Sequence, residues 1–197
     1  MRFGPPRVSN YLRLTDWKNH QEALHYAEPR CLPLNRSLDV NWFLVANANH
    51  MDDEDRLRRV QERLSKQCKR WGFELAWVWV REISKRGEGC PNTHILVHVP
   101  PGREADFDAA FLRALEPEGG VNDERAIKFQ RAGGPMGKLR YMFEGLVPKD
   151  GKAVGIRPKF QGEIVGKRCG MTQNLNRGAR RRWQTRRGVL EVVRRVA

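Results

Sequence analysis

The chain has 197 residues, a length that suits one domain with extensions, and its 40% hydrophobic and 30% charged content is that of an ordinary folded protein. No apolar run approaches the ~20 residues of a membrane helix, the first residues lack the apolar core of a secretory signal, and Cys31, Cys68, Cys90 and Cys169 form no CxxC pair. A membrane protein, a disulfide framework and a structural zinc site are therefore not expected, and a cytoplasmic setting is.

The net charge of +14 is lopsided: residues 151–197 hold thirteen Lys or Arg against Glu163 and Glu191, giving +11, and residues 1–150 supply the other +3. A basic tail on a nearly balanced body is the footprint of a polyanion binder, nucleic acid foremost. A solvated tail that aids solubility would have the same composition.

In chain order, residues 1–35 carry "FGPPR" and "AEPRCLPLNR" and read as an N-terminal extension with one short helix near Thr15 to Tyr26. "VNWFLVANA", residues 40–48, is β-branched and aromatic and predicts a strand. A helix follows, capped by Asp52 or Asp53, with Leu57, Val60, Leu64 and Cys68 as its apolar stripe and Gly72 as its stop. "FELAWVWVREI" (73–83) and "THILVHVP" (93–100) predict two strands, residues 104–117 an amphipathic helix, residues 125–132 a strand, and residues 134–147 a loop entering a helix that ends at Gly145. The tail offers a loop or strand in "FQGEIVGKRCGMTQNL" and then a basic helix, "NRGARRRWQTRR". The order β-α-β-β-α-β-α predicts an α+β fold: a central, largely antiparallel sheet with flanking helices and a basic C-terminal helical tail. Three regions result, namely residues 1–35, a central domain over 36–150, and a basic region over 151–197.

Residues 89–102, "GCPNTHILVHVPPG", place His94 and His98 in one strand. Side chains two apart share a face, so Asn92, His94, Leu96 and His98 line one side and Thr93, Ile95, Val97 and Val99 the other. The second set is the expected core face, which leaves the histidines on a functional or solvent-facing side. A hairpin centred near Glu88 would set Glu82 opposite His94. Glu82, His94 and the Asn92 amide oxygen could then converge on a cation, a nitrogen and oxygen set that suits Mg²⁺ or Mn²⁺ better than zinc. An exposed cross-strand Glu82–His94 pair is the plainer alternative. His98, about 13 Å along the strand from His94, is too distant for the same coordination shell.

Tyr141 lies in "GKLRYMFEG", where Lys138 shares its helical face at i, i+3. A phenol with a pKa near 10 needs cations to act as a nucleophile. Alternatively the ring simply packs on the core beside Leu139 or Phe143.

Together, "VREISKRGEGCPNTHILVHVPPG", "GKLRYMFEGLVP" and "GKRCGMTQNLNRGARRR" resemble the HUH endonucleases, and more narrowly the rolling-circle replication initiators and replicase-like proteins of bacterial genomes, plasmids and single-stranded DNA phages. The resemblance spans residues 40–182 and implies an HUH or RRM-like palm that nicks and rejoins single-stranded DNA at a replication origin, in a bacterial cytoplasm, through a phosphotyrosine. It implies Tyr141 as nucleophile, Lys138 beside it, Mg²⁺ or Mn²⁺ held by Glu82, Asn92 and His94, and His98 behind the ligands. DNA contacts fall to Arg140, Lys167, Arg168, Arg180, Arg181 and Arg182. Two positions depart from the pattern: Asn92 stands for the first histidine, and Glu144 for the lysine three residues after the tyrosine. A non-catalytic nucleic-acid-binding protein of the same fold, with a degenerate metal site, is the alternative those departures raise. No GxxxxGK[ST] loop occurs, so duplex unwinding would need a separate helicase.

Overall fold

The structure, a computed structural model, describes residues 8–83 and 91–196. In chain order it contains β1 (Val8–Ser9), α1 (Leu14–Ala27), β2 (Arg36–Asn41), α2 (Asp53–Arg70), β3 (Trp77–Ile83), β4 (Pro91–Val97), α3 (Glu104–Leu115), β5 (Ile127–Arg131), α4 (Pro135–Met142), α5 (Pro148–Ala153), β6 (Ile164–Val165), β7 (Cys169–Met171) and α6 (Arg177–Val196), with short 3₁₀ turns between them. Five strands form one fully antiparallel sheet in the order β5-β2-β4-β3-β7, and β1 pairs with β6 in a small second sheet. The fold is thus α+β, with an antiparallel sheet and flanking helices.

Local chemistry explains the helices that matter most. Asp52 caps α2 by accepting the Asp55 amide at 2.8 Å, acids fill the first turn, and Lys69 and Arg70 close the last, all aligned with the helix dipole. Gly72, at φ +86°, lets the chain leave α2 in the left-handed region. Pro135 opens α4, where its missing N–H costs nothing.

The sheet is covered on both sides. Leu57, Val60 and Leu64 of α2 and Phe107 and Phe111 of α3 pack on Leu38, Val40, Trp77, Trp79, Ile95 and Val97. On the opposite side Trp17 and Leu24 of α1 and Leu139, Met142 and Phe143 around α4 pack on Val78, Val80 and Leu96. Burial of each large apolar side chain in these layers contributes about 1.5–3 kcal/mol. Two coverings account for the unbroken hydrophobic run of β3, since a strand buried on both faces has no polar side to show.

The histidine face, expected to be functional or solvent-facing, is therefore buried under a second layer. His94 is 4% exposed and His98 6%. The second core arises because α1, from the expected N-terminal extension, and α6, from the basic region, both pack on this face with α4. β7 also adds the sheet's edge strand beside β3.

The strand expected over 40–48 starts and ends earlier. Asn41 turns the chain by accepting the Phe43 amide at 3.1 Å, and Trp42–Leu44 form a 3₁₀ turn. The buried Arg56 guanidinium then binds the carbonyls of Trp42, Val45 and Ala46, which takes those acceptors out of any ladder.

Candidate active site

Three central strands bring polar groups to one face beneath α4. Asp39 on β2 stands directly opposite His94 on β4. On the other side of β4, Val80 faces His94 and Glu82 faces Asn92. The pairing is thus shifted by two residues from that expected: Glu82 lies diagonal to His94 instead of opposite it, still on the same face. The turn expected near Glu88 lies outside the described residues.

His94 is gripped from both ends. Its Nδ1 is 2.6 Å from Asp39 Oδ1, and its Nε2 is 3.0 Å from Glu82 Oε1. The Asp39 contact is a hydrogen bond. The Glu82 contact is an ion pair that holds the buried Nε2 from the other end. Lys138 Nζ reaches down from α4 to both Asp39 oxygens, at 2.7 and 2.9 Å.

Charge states follow from this packing. Burial alone would depress the His94 imidazole, but the Asp39 and Glu82 carboxylates together hold its pKa above the usual value. Burial would raise Asp39, yet His94 and Lys138 hold it below the ordinary carboxylate range. Glu82 is likewise lowered, burial being outweighed by His94 and, at longer range, Lys159.

Tyr141 sits above this cluster. Its ring meets the His94 ring edge-on at 5.1 Å between centroids, and Lys138 Nζ lies 4.9 Å from the tyrosine centroid. The alternative of core packing falls to its neighbours: Leu139, Met142 and Phe143 are fully buried, whereas Tyr141 is 41% exposed. The phenol pKa is pushed up to about 12, by partial burial foremost and then by Glu82, Asp39 and Glu144. Comparisons of the chain with family models, with curated proteins and with solved structures found no match.

With Nδ1 bonded to Asp39, the imidazole is oriented as ligating histidines are, by a carboxylate on the nitrogen that does not ligate. Nε2 and the Glu82 oxygen, 3.0 Å apart, are then the two donors that a cation could share in place of the proton between them. Asn92 is next to Glu82 on the same face. Among the described residues no three His, Cys, Asp or Glu side chains form a ready cage. A hard cation such as Mg²⁺ takes one or two carboxylates and fills its remaining positions with water and substrate phosphate, so His94, Glu82 and the Asn92 amide fit that use.

The other expected site residues are spread over the molecule. His98 donates to, or accepts from, nothing near His94; its Nδ1 lies 3.0 Å from Pro33 O, and burial lowers its pKa. Arg140, Lys167, Arg181 and Arg182 are exposed. Arg168 and Arg180 are not available as phosphate contacts, because each is buried and used within the fold. Arg168 binds the carbonyls of Ser9, Gln161 and Gly162. Arg180 binds Leu175 O, Asn19 and Glu22. Sequence reasoning missed Asp39 altogether. Its signal was an acid between Leu38 and Val40, a residue disfavoured in strands standing at mid-strand. It also missed Lys159, whose Nζ lies 3.8 Å from Glu144 and supplies positive charge beside the acid that stands where a lysine was expected.

Proposed function

We propose that this protein is a metal-dependent enzyme that nicks and joins single-stranded DNA through a phosphotyrosine, as in initiation of rolling-circle replication. The observation that carries the reading is the edge-on contact of Tyr141 with His94, whose Nε2 lies 3.0 Å from Glu82 and whose Nδ1 is held from behind by Asp39. His94 Nε2, Glu82 and the Asn92 amide would hold Mg²⁺ or Mn²⁺. When bound, such an ion offsets the carboxylate charge that raises the phenol and polarises a phosphate.

The chain's own groups do the rest. Tyr141 Oη, having released its proton to solvent, attacks the scissile phosphorus in line. The bond from phosphorus to the 3′ oxygen breaks, that oxygen takes a proton from solvent, and the 5′ phosphate stays on the tyrosine. Attack by a 3′-hydroxyl reverses the sequence, so joining needs no nucleotide cofactor. Lys138 orients Asp39, which orients His94. Lys159 partly screens Glu144 from the approaching phosphate.

A second reading has its own observation. His94 between two carboxylates is also a self-sufficient ion-pair cluster, which a non-catalytic nucleic-acid-binding protein of this fold could keep for stability alone. One experiment separates the two. The protein is incubated with a random-sequence single-stranded DNA library and Mn²⁺ or Mg²⁺, then run on a denaturing gel. The nicking reading predicts a covalent adduct, carried on the 5′ end of the DNA, that vanishes in Tyr141→Phe and in His94→Ala and on chelation. DNA binding with no adduct under any metal overturns it in favour of the second reading.

A further inference from the structure

Four large aromatic side chains are exposed among the described residues, Tyr11, Phe43, Tyr141 and Phe160, and three of them belong to one neighbourhood. Tyr11 and Phe160 meet edge-to-face, with centroids 5.9 Å apart and planes at 69°. Neither ring belongs to either core, and they are 38% and 44% exposed. Backbone bonds fix where they stand. Leu12 N donates to Gly145 O at 2.8 Å, and Lys159 N donates to Glu144 O at 2.6 Å. Tyr11 and Phe160 are the chain neighbours of those two donors, so they flank the turn that follows Tyr141 by three and four residues. Gly162, at φ +71°, packs against the Ile83 side chain and keeps this segment close to the end of β3, one residue from Glu82.

The surroundings are basic. Lys159, the chain neighbour of Phe160, is exposed, as is Arg157 earlier in the same segment. Tyr11 also walls a groove of about 500 Å³ lined by Arg13 and Lys167. The groove also holds two acids, each turned to a backbone amide. Asp16 accepts the Arg13 amide at 3.1 Å, and Glu54 accepts the Lys167 amide at 2.7 Å and lies 3.8 Å from Arg81.

Resting on the nicking reading above, we propose that Tyr11 and Phe160 form a stacking platform for unpaired DNA bases beside Tyr141. Lys159, and Lys167 along the groove, meet the phosphates of the same strand. Exposed rings edged by cations suit a strand whose base faces are free, because stacking is indifferent to base identity and the cations follow the backbone. A duplex hides those faces except at its ends.

The test uses fluorescence anisotropy with a short single-stranded oligonucleotide, in the full chain carrying Tyr141→Phe so that cleavage does not intrude. A double variant, Tyr11→Leu with Phe160→Leu, keeps apolar area but removes both π faces. It is expected to bind at least about fivefold more weakly. The conservative pair, Tyr11→Phe with Phe160→Tyr, is expected to bind like the parent. A strand of the same length lacking every base is expected to bind the parent more weakly and to show no difference between parent and leucine variant. Parental affinity in the leucine variant overturns the platform. If that variant folds poorly, the parent alone decides: equal affinity for the baseless and normal strands, or preference for duplex, overturns it. Adduct formation by the protein with Tyr141 intact is scored separately. An adduct with no stacking contribution sinks only the platform, and stacking without an adduct sinks only the nicking.

Discussion

The imidazole of His20 on α1 lies between two carbonyl oxygens, Asp16 O at 2.7 Å from Nδ1 and Gly170 O at 3.1 Å from Nε2, with the Phe143 ring 5.0 Å away. Burial depresses its pKa below the ordinary histidine value, although both carbonyls favour the protonated ring. The unfolded chain therefore takes up a proton near pH 6.5 that the folded chain refuses. Stability attributable to His20 falls as the pH drops below about 6.5 and stops falling at the lower folded value, with a slope of at most about 1.4 kcal/mol per pH unit. His94 has the opposite sign: its folded pKa is raised, so its contribution is present below about 6.5 and fades as pH rises through the folded value. Urea unfolding of wild type and His20→Gln from pH 7.5 to 5.5 isolates the first effect. The variant is expected to lose less stability than wild type on acidification, and parallel curves would show that burial does not exclude the proton.

At the level of elements, β3, β4 and α2 were legible because period-two and period-3.6 patterns agreed with their caps and stops. The central pairing was legible to within two residues, and Glu82, His94, Lys138 and Tyr141 do gather on one side of the sheet. Asp39 was not legible because Trp42, Phe43 and Leu44 have strand propensity, which drew the expected strand past the turn made by Asn41 and Arg56. The tail's "FQGEIVGKRCGMTQNL" reads as either loop or strand, and it holds β6 and β7; the three residues of β7, with Gly170 at their centre, carry too little side-chain pattern to decide it. Composition also cannot distinguish an arginine that meets solvent from one that ties loops together. Arg168 is of the second kind: it joins Ser9 of β1 to Gln161 and Gly162, while its own carbonyl accepts the Arg81 amide at 2.7 Å. Arg168→Ala leaves buried carbonyls without donors and is expected to cost about 3 kcal/mol in urea unfolding. Its single-stranded DNA affinity, measured where the variant is still folded, is expected to stay at the wild-type value. Lost affinity at unchanged stability would instead make Arg168 a DNA contact.

Over the whole molecule, α1 packs between α4 and α6, so the exposed arginines of α6 belong to the same helical layer as Tyr141. Trp183 anchors that arrangement through an edge contact with Tyr26 at 5.4 Å. Arg181 and Arg182 remain exposed, whereas Arg180 between them and Ala179 is turned inward. The surplus of +11 in residues 151–197 thus overstates the charge free to meet a polyanion. The distinction can be measured, because each phosphate neutralised on a single strand adds about 0.7 to the slope of log affinity against log salt. Arg181→Ala combined with Arg182→Ala is expected to flatten that slope by about 1.4, while Arg180→Ala leaves it unchanged and lowers stability. The comparison is made by anisotropy across a salt series with one single-stranded oligonucleotide and the Tyr141→Phe chain as parent. If the double variant keeps the parental slope, α6 does not touch the strand, and the basic groove around Arg13 and Lys167 is left as the path by which DNA reaches the tyrosine.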